Sequence, residues 1–528
     1  MEENLCLKFC FLFISYASFR FDCALGLLIF FLDKFFQYRF LMICVPIVGT
    51  SMPKALEQIS AAEKVADIIE LRLDLIDSFN LKVLLKAVTK PVIVTNRSKL
   101  DGGQFKGNDE ERLQALRDAL AAGANYVDIE VSTPREYLQP FLESYETSRI
   151  ILSYHEFSNT PDDLNPLYET MSALPGEILK IVTYARDLSD NLKMLQLLER
   201  AKKENKKLIG LCMGDMGEIS RVLSPLYGGF LTFGSLETGQ ESAPGQIPAN
   251  SLKDIYRVNN KRKDFKVYGV IGNPISKSMG YLIHNRAFRE INSDDIYVSF
   301  LVENVEKFFI TFKDFFSGLS VTMPAKENII PLLDSVDTTA RSIGSVNTVV
   351  QEEGRWVGYN TDYSGAIAAL EAYTSLKDKN VLIIGSGGTA RAIGYGVKEK
   401  DARLTVTYNQ NKERAESLAQ ELGCKFVHYR DTGTRSIDIL INCSPVGMNP
   451  NINETPFLSR DLKKGMVVFD SVYNPLETRL LREAKAVGCT IIPGSELFIN
   501  QAAKQFELWT GKAAPIDAMR EVLMEKLT

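Results

Sequence analysis

A lysine stands inside an apolar run, Glu177-Ile178-Leu179-Lys180-Ile181-Val182. A lone lysine of that kind packs its stem and lets its ammonium reach water. Here, however, other ionisable residues end neighbouring apolar runs. His155 closes Ser153-Tyr154-His155, and Arg97 closes another run just before Asp101-Gly102-Gly103. In Glu70-Leu71-Arg72-Leu73-Asp74, strand alternation turns Glu70, Arg72 and Asp74 to one side. Three charges gathered inside a small sheet must pair or meet a ligand. A lysine desolvated among cations has a lowered pKa and can add to a ketone as a Schiff base. A second chemistry lies further along. Val381–Ile384, Gly385-Ser386-Gly387-Gly388 and Thr389-Ala390-Arg391-Ala392 read as a buried strand, a glycine turn and a helix start. Such glycines let the backbone approach a pyrophosphate at the helix N-terminus. The next strand, Arg403–Tyr408, runs into Asn409-Gln410-Asn411-Lys412-Glu413-Arg414, with no acid at its end for an NAD ribose. Asn409, Lys412 and Arg414 offer donors and positive charge to a 2′-phosphate, which favours NADP.

The elements that must position these residues follow from the hydrophobic pattern. Over residues 43–258, short β-branched runs alternate with charged helical segments about every 25 residues. The expected strands are 43–50, 67–74, 91–98, 126–131, 149–156, 178–184, 207–213 and 229–236. Asp109–Ala122 and Ser189–Lys203 are typical of the intervening helices. Near-continuously apolar strands separated by helices imply a parallel sheet. Eight such units match a closed (β/α)8 barrel, whose active site lies at the C-terminal strand ends.

Composition narrows the function classes. The chain has 528 residues, 45% hydrophobic and 24% charged, which is enough for two or more domains. A net charge of −5 gives no basic field for nucleic acid or anionic membrane. Eight scattered cysteines lack zinc spacing and suit a reducing, cytoplasmic setting, and three histidines argue against a multi-histidine metal centre. Residues 1–41 do not conform: they hold about a third of the phenylalanines, yet charges interrupt every apolar stretch well short of the ~20 residues of a span. They are expected to be an upstream translation or an appendage outside the fold, with a weak membrane-surface anchor as the rival.

The first half resembles type I 3-dehydroquinate dehydratases, through Glu70–Asp74, Arg97 with Asp101-Gly102-Gly103, His155, Lys180, Ser220-Arg221 and Ser242-Ala243-Pro244-Gly245-Gln246. The resemblance implies that Lys180 forms an imine with the substrate ketone and that His155 moves protons during loss of water. It also implies that Glu70 orients His155, and that Arg72, Arg97, Arg221, Ser242 and Gln246 hold the carboxylate and hydroxyls. Asp101 departs from the family's usual glutamate, with a shorter reach.

Residues 266–528 resemble shikimate dehydrogenases, through Val270–Ser278, Ile283-His284-Asn285, Val321–Lys326, Ser345-Val346-Asn347-Thr348, Asn360-Thr361-Asp362, Asn442–Met448 and Gln501-Ala502-Ala503. The resemblance implies Lys326 and Asp362 as the catalytic pair, and Ser278, Thr322, Asn347, Tyr473 and Gln501 as substrate ligands. Gly385, Gly387, Gly388, Thr389, Asn409, Arg414 and Gly494 are the implied NADP contacts. His284 is expected to pack its helix. Gly280 stands where the family commonly has a second serine, which removes a carboxylate donor and leaves room for the extra hydroxyl of quinate. Gln410 stands where an arginine is common.

The resulting layout is a barrel over 42–252, a linker over 253–265 and a substrate-binding lobe over 266–366 completed by 495–528. A Rossmann-type NADP domain occupies 367–494. The expected function is dehydration of 3-dehydroquinate followed by NADPH-dependent reduction to shikimate, with no metal and no nucleic acid. The alternatives are a quinate/shikimate dehydrogenase carrying a dehydratase, and a non-catalytic regulator built from the same folds.

Overall fold

The structure, a computed structural model, describes residues 42–528 except Lys261, Lys263, Ser276, Lys277, Asn409, Gln410 and residues 433–435. The extension over 1–41 and both readings of it lie outside the described residues.

The first half forms β1 (Met42–Ile47), β2 (Ile68–Arg72), β3 (Val92–Thr95), β4 (Tyr126–Glu130), β5 (Ile150–His155), β6 (Ile178–Tyr184), β7 (Lys207–Met213) and β8 (Leu231–Ser235). Neighbours from β1 to β7 pair in parallel, and β8 pairs with β1. Among the described residues β7 and β8 form no ladder, and Phe230 N–H donates to the Leu208 carbonyl at 2.8 Å between them. A short β9 (Ile247–Pro248) pairs in parallel with the end of β8. Several strands end sooner than expected, because the chain leaves the sheet to make the loops that carry polar groups. Asp74 is the clearest correction: it lies in a 3-10 turn, Leu73–Leu75, beyond the strand.

Two-residue alternation sorts the barrel interior into layers. Ile68, Ile93, Ile151, Ile178, Ile209 and Leu231 make an apolar floor. Two residues on, Glu70, Thr95, Asp128, Ser153 and Lys180 form a buried polar layer, with Leu211 and Phe233 completing it. Two residues further, Arg72, Arg97, His155, Val182 and Met213 line the mouth. Outside the sheet, Arg112 is buried in the Asp109–Ala121 helix, which opens with an Asn108/Glu111 capping box. Its guanidinium pairs with buried Glu130 and also donates to Asp109 (2.9 Å) and Thr133 (2.8 Å).

The expected linker is not free chain. Tyr256 and Val258 are buried, Tyr256 stacks on Tyr281 at 6.0 Å, and Arg262 donates to the carbonyls of Asp294 and Asp295. The apolar cluster under the barrel helices continues into the second half through Val267, Ile271 and Ile296. That half starts with β10 (Val267–Gly272), β11 (Ile296–Leu301), β12 (Gly318–Val321), β13 (Ser335–Val336), β14 (Thr348–Glu352) and β15 (Arg355–Tyr359), in the order β11-β10-β12-β14-β15-β13. The Gly494–Thr510 helix returns to this sheet, where Trp509 Nε1–H donates to the Val349 carbonyl at 3.1 Å.

Between these segments lie β16 (Asn380–Ile384), β17 (Arg403–Tyr408), β18 (Lys425–His428), β19 (Ile439–Asn442), β20 (Val467–Asp470) and β21 (Thr490–Ile492). All are parallel, in the order β18-β17-β16-β19-β20-β21. The direction of winding reverses between β16 and β19, which is where doubly wound sheets bind dinucleotides.

Removing Arg112 leaves Glu130 buried with weaker compensation from Arg97 (3.4 Å) and the Ser98 N–H (3.1 Å). Arg112→Leu should therefore destabilise the barrel by ~3 kcal/mol, read as a lowered denaturation midpoint.

Candidate active sites

At the barrel mouth, Glu70, Arg72, Arg97, His155, Lys180, Arg221, Ser242 and Gln246 all line one cavity. The folded strands thus bring together every residue expected there. Lys180 Nζ donates to Asp128 Oδ2 at 2.9 Å, stands 3.9 Å from Glu70 and lies 4.5 Å over the Phe233 ring. Its nearest charged neighbours are therefore carboxylates, where the strand ends had suggested cations. Asp128 also binds Arg97 at 2.9 Å and accepts from Ser153 Oγ at 2.6 Å. Burial alone would raise the Asp128 carboxyl, but Arg97 and Lys180, with the Ser153 hydrogen bond, outweigh it and hold the group well below the usual carboxylate range. Sequence reasoning missed Asp128. The available signal was an acid two residues from Tyr126 and two from Glu130, on the inward register of an apolar strand.

Among the described residues Glu70 and His155 are not hydrogen-bonded to each other: Glu70 accepts from Thr95 Oγ1 at 2.7 Å, and the buried Nδ1 of His155 has no partner. Burial, together with Arg97 and Lys180, holds the imidazole well below its ordinary value of 6.5, so it is neutral and able to accept a proton. Arg72 is clamped by Asp74 through bonds of 2.9 and 2.8 Å. Arg221 differs from both other arginines, because among the described residues it has no carboxylate partner. It donates to the carbonyls of Gly245 (3.0 Å) and Pro244 (3.3 Å), and burial lowers it to about 10. A buried guanidinium held by carbonyls alone is a ready site for a substrate anion. Gln246 and Ser242 bond each other (3.0 Å) beside it. Asp101, the shorter acid, accepts from Ser98 (2.9 Å) and Ser132 (2.7 Å).

In the second half, Lys326 Nζ is paired with Asp362 in a close ion pair, both side chains mostly buried. Asp362 sits in the first turn of the Thr361–Glu371 helix, whose N-cap is the Asn360 side chain. Asn347 Nδ2 donates to Asp362 Oδ1 (2.8 Å) and Thr361 Oγ1 (3.0 Å), so its amide holds the acid and is not a free ligand. Gln501 turns its amide onto the Phe498 carbonyl (2.9 Å), and Tyr473 stacks on Phe498 at 4.5 Å. Ser278 Oγ accepts from Gly280 N–H at 3.4 Å, and Thr322 N–H donates to the Ile271 carbonyl at 3.0 Å. His284 is buried against Tyr297 (4.5 Å) and Trp509 (5.0 Å), a packing residue as expected.

The glycine turn fits a dinucleotide. Gly385 has φ +110, which favours glycine, and a Cβ at Gly387 would meet nothing within 4 Å. The Gly388–Glu399 helix starts there with Gly388 and Thr389 in its first turn, and a Cβ at Gly388 would lie 3.7 Å from Lys326 Cδ. The phosphate-binding turn and the reactive lysine are thus neighbours. Gly494 is a close-packing glycine, since a Cβ there would lie 2.4 Å from the Val472 carbonyl. Arg414 is exposed in the first turn of the Lys412–Glu421 helix; Asn409 and Gln410 lie outside the described residues.

Gly280 brings a correction. A Cβ there would lie 2.9 Å from Tyr297 Oη, so the space beside this glycine is filled by a phenol and not left for a substrate hydroxyl.

The family model for type I 3-dehydroquinase matches residues 43–263. The model for the shikimate dehydrogenase substrate binding domain matches 270–349, and that for the shikimate 5′-dehydrogenase C-terminal domain matches 494–524. Residues 380–474 match a model described as NADP oxidoreductase coenzyme F420-dependent. Over 511 residues the chain is 37% identical to the Arabidopsis thaliana bifunctional 3-dehydroquinate dehydratase/shikimate dehydrogenase, chloroplastic, covering 91% of this chain and 84% of that one. The chain belongs to the bifunctional 3-dehydroquinate dehydratase/shikimate dehydrogenase family. A second member-like relative, the shikimate biosynthesis protein AroDE of Chlamydia pneumoniae, is 33% identical over 479 residues, 89% of this chain and 95% of its own. The dehydrogenase half is 42% identical over 265 residues to the shikimate dehydrogenase (NADP(+)) of Pyrococcus abyssi, covering 50% of this chain and 98% of that one.

Two outcomes follow for this dehydratase/dehydrogenase. Because His155 stays neutral in the fold, the native state binds fewer protons than the unfolded chain as pH falls below about 6.5. The stability linked to this histidine is therefore fully present above 6.5 and lost on acidification. The acid limb of dehydration kcat/KM should likewise lie below pH 6.5, as a pH–rate profile will report. Gly280→Ser should lower kcat/KM for shikimate and quinate alike, by roughly threefold to tenfold, and Tyr297→Phe in the same chain should recover part of the loss.

Proposed function

We propose that the two sites of this bifunctional shikimate-pathway enzyme act in sequence, with the residues brought together above in named roles. The observation that carries this reading is the coexistence, in one chain, of a lysine at the centre of a barrel-mouth cavity and a lysine–aspartate pair against a dinucleotide turn. In the barrel, Arg221 binds the carboxylate of 3-dehydroquinate, assisted by Ser242 and Gln246. Lys180, released from Asp128 and with its proton passed to His155, adds Nζ to the C3 ketone; His155 returns the proton as the adduct loses water to form the imine. The imine draws electrons from the adjacent carbon, and neutral His155 takes the proton from it and returns it to the ring hydroxyl, which leaves as water. Hydrolysis releases 3-dehydroshikimate and restores the amine.

In the second half, the glycine turn over 385–388 and the start of the Gly388–Glu399 helix would hold NADPH, which would supply the hydride for reduction of the 3-dehydroshikimate ketone. Lys326 and Asp362 hold the reacting oxygen and deliver the proton it needs as the alkoxide forms. Ser278, Thr322, Tyr473 and Gln501 would bind the ring, and Arg414 would pair with the 2′-phosphate of the coenzyme. A regulator built from these folds has no need of Lys180, His155, Lys326 and Asp362 together, and the quinate alternative loses its support because Tyr297 fills the space at Gly280. A cytoplasmic location rests on the reduced-cysteine composition alone.

Incubating the enzyme with 3-dehydroquinate and NADPH should yield shikimate. Lys180→Ala should abolish dehydration and the borohydride-trapped adduct, while NADP-linked oxidation of shikimate persists. An undiminished dehydration rate in that variant removes the imine from the mechanism.

A further inference from the structure

The substrate lobe of the dehydrogenase contains a line of buried polar side chains that the reaction, as described, does not use. Tyr297, Ser320, Gln505, Thr348 and Asn347 are each at most 8% exposed. They connect end to end. Tyr297 Oη is 2.8 Å from Ser320 Oγ, which is 2.9 Å from Gln505 Oε1. Gln505 Nε2 is 3.0 Å from Thr348 Oγ1 and 3.2 Å from the Asn347 carbonyl. Thr348 Oγ1 is 2.8 Å from Asn347 Oδ1, and Asn347 Nδ2 is 2.8 Å from Asp362 Oδ1.

The direction of every bond in this line is forced by a main-chain group at each amide. Thr361 N–H, which can only donate, lies 2.7 Å from Asn347 Oδ1, so Nδ2 must face Asp362. The Asn347 carbonyl, which can only accept, takes a hydrogen from Gln505 Nε2, so Oε1 must face Ser320. Thr348 accepts from Gln505 and therefore donates to Asn347; Ser320 donates to Gln505, and Tyr297 to Ser320. All donors consequently point toward one carboxylate. Hydrogen bonds aligned in this way polarise one another, whereas a broken link leaves buried groups unsatisfied. The packing is equally specific: a Cβ at Gly365, on the helix that carries Asp362, would lie 2.6 Å from the Gln501 backbone, one turn before Gln505 on the facing helix.

We propose that Gln505 is a positioning residue for the dehydrogenase, setting through Thr348 and Asn347 the orientation of the Asp362 carboxylate against Lys326. This rests on the reading of Lys326 and Asp362 as the catalytic pair. Gln505 is 2% exposed and its polar atoms are taken up by Ser320, Thr348 and Asn347, so its influence should appear in turnover and not in substrate affinity.

The test replaces Gln505 by methionine, which keeps the volume and removes both polar atoms. In the full-length enzyme, Gln505→Met should lower kcat for shikimate oxidation about tenfold, with the KM values for shikimate and NADP within about twofold of the parent. Dehydration by the same molecules should be unchanged, which certifies the folded chain. Ser320→Ala should give a smaller kcat loss. Adding Gln505→Met to Asp362→Asn should cost nothing further, because the chain acts through that carboxylate. An unchanged kcat in Gln505→Met, a loss confined to KM, or a full tenfold loss on the Asp362→Asn background overturns the proposal. If Asp362→Asn alone keeps its kcat, the catalytic-pair reading fails instead. Should Gln505→Met also lose dehydratase activity, Thr348→Val breaks the same line nearer Asp362 and is read by the same criteria.

Discussion

The Asp128 carboxylate, buried in the barrel interior, sets the terms for the dehydratase half. An ionised group there is tolerated only where charges and donors surround it. Ser153 and Lys180 meet that demand from β5 and β6, and Arg97 from the loop that follows β3. One consequence is that Lys180 is held in a single place, over Phe233 and within reach of the cavity. Another is that Arg97 and Lys180 lie close enough to His155 to keep it neutral. The same carboxylate that holds the Lys180 side chain must release it before the lysine can act as a nucleophile, so substrate binding and the freeing of Nζ are bound together. Arg221, which lacks such a partner, is the complementary case: its compensation is completed by the ligand.

The dehydrogenase half solves the burial of polarity differently. Charge is concentrated in one pair at the cleft, Lys326 and Asp362, while the lobe behind it buries neutral hydroxyls and amides in a fully satisfied line. Neutral groups cost less to desolvate than ions, yet they demand exact partners. The lobe thus gains a defined orientation for its acid without burying a second ion pair.

Between the halves the boundary is a packed interior. Tyr227 stacks on Phe315 at 5.9 Å and meets Phe265 edge-on at 5.8 Å, while Lys307 pairs with Asp187 at 2.7 Å. The helix carrying Arg221 (Glu218–Leu223) buries Ile219, Val222 and Leu223 in the cluster that continues into β10 and β11. The stretch over 253–265 reads as a linker because its charge and asparagine content is high. Two of its apolar residues, Tyr256 and Val258, decide otherwise by going into the core.

Much of the architecture was determined by the sequence alone, because period-two alternation in apolar strands is a local property. Once the strands are parallel and closed, Glu70, Arg72, Arg97, His155 and Lys180 must share one end of the barrel. The glycine turn at 385–388 is legible for the same reason, since backbone conformation and helix start are local. Pairing is not local. That Asp128 rather than a cation stands beside Lys180, that Glu70 turns to Thr95 instead of His155, and that Tyr297 fills the space at Gly280 each depend on segments 15 or more residues apart meeting at atomic distance. Asn347, expected as a substrate ligand, is committed to Asp362 by a main-chain donor that only the folded turn brings near. Residue types and spacing therefore determined which groups share a site; tertiary packing decided which of them touch, because buried hydrogen bonds and ion pairs are satisfied by three-dimensional proximity that no single segment encodes.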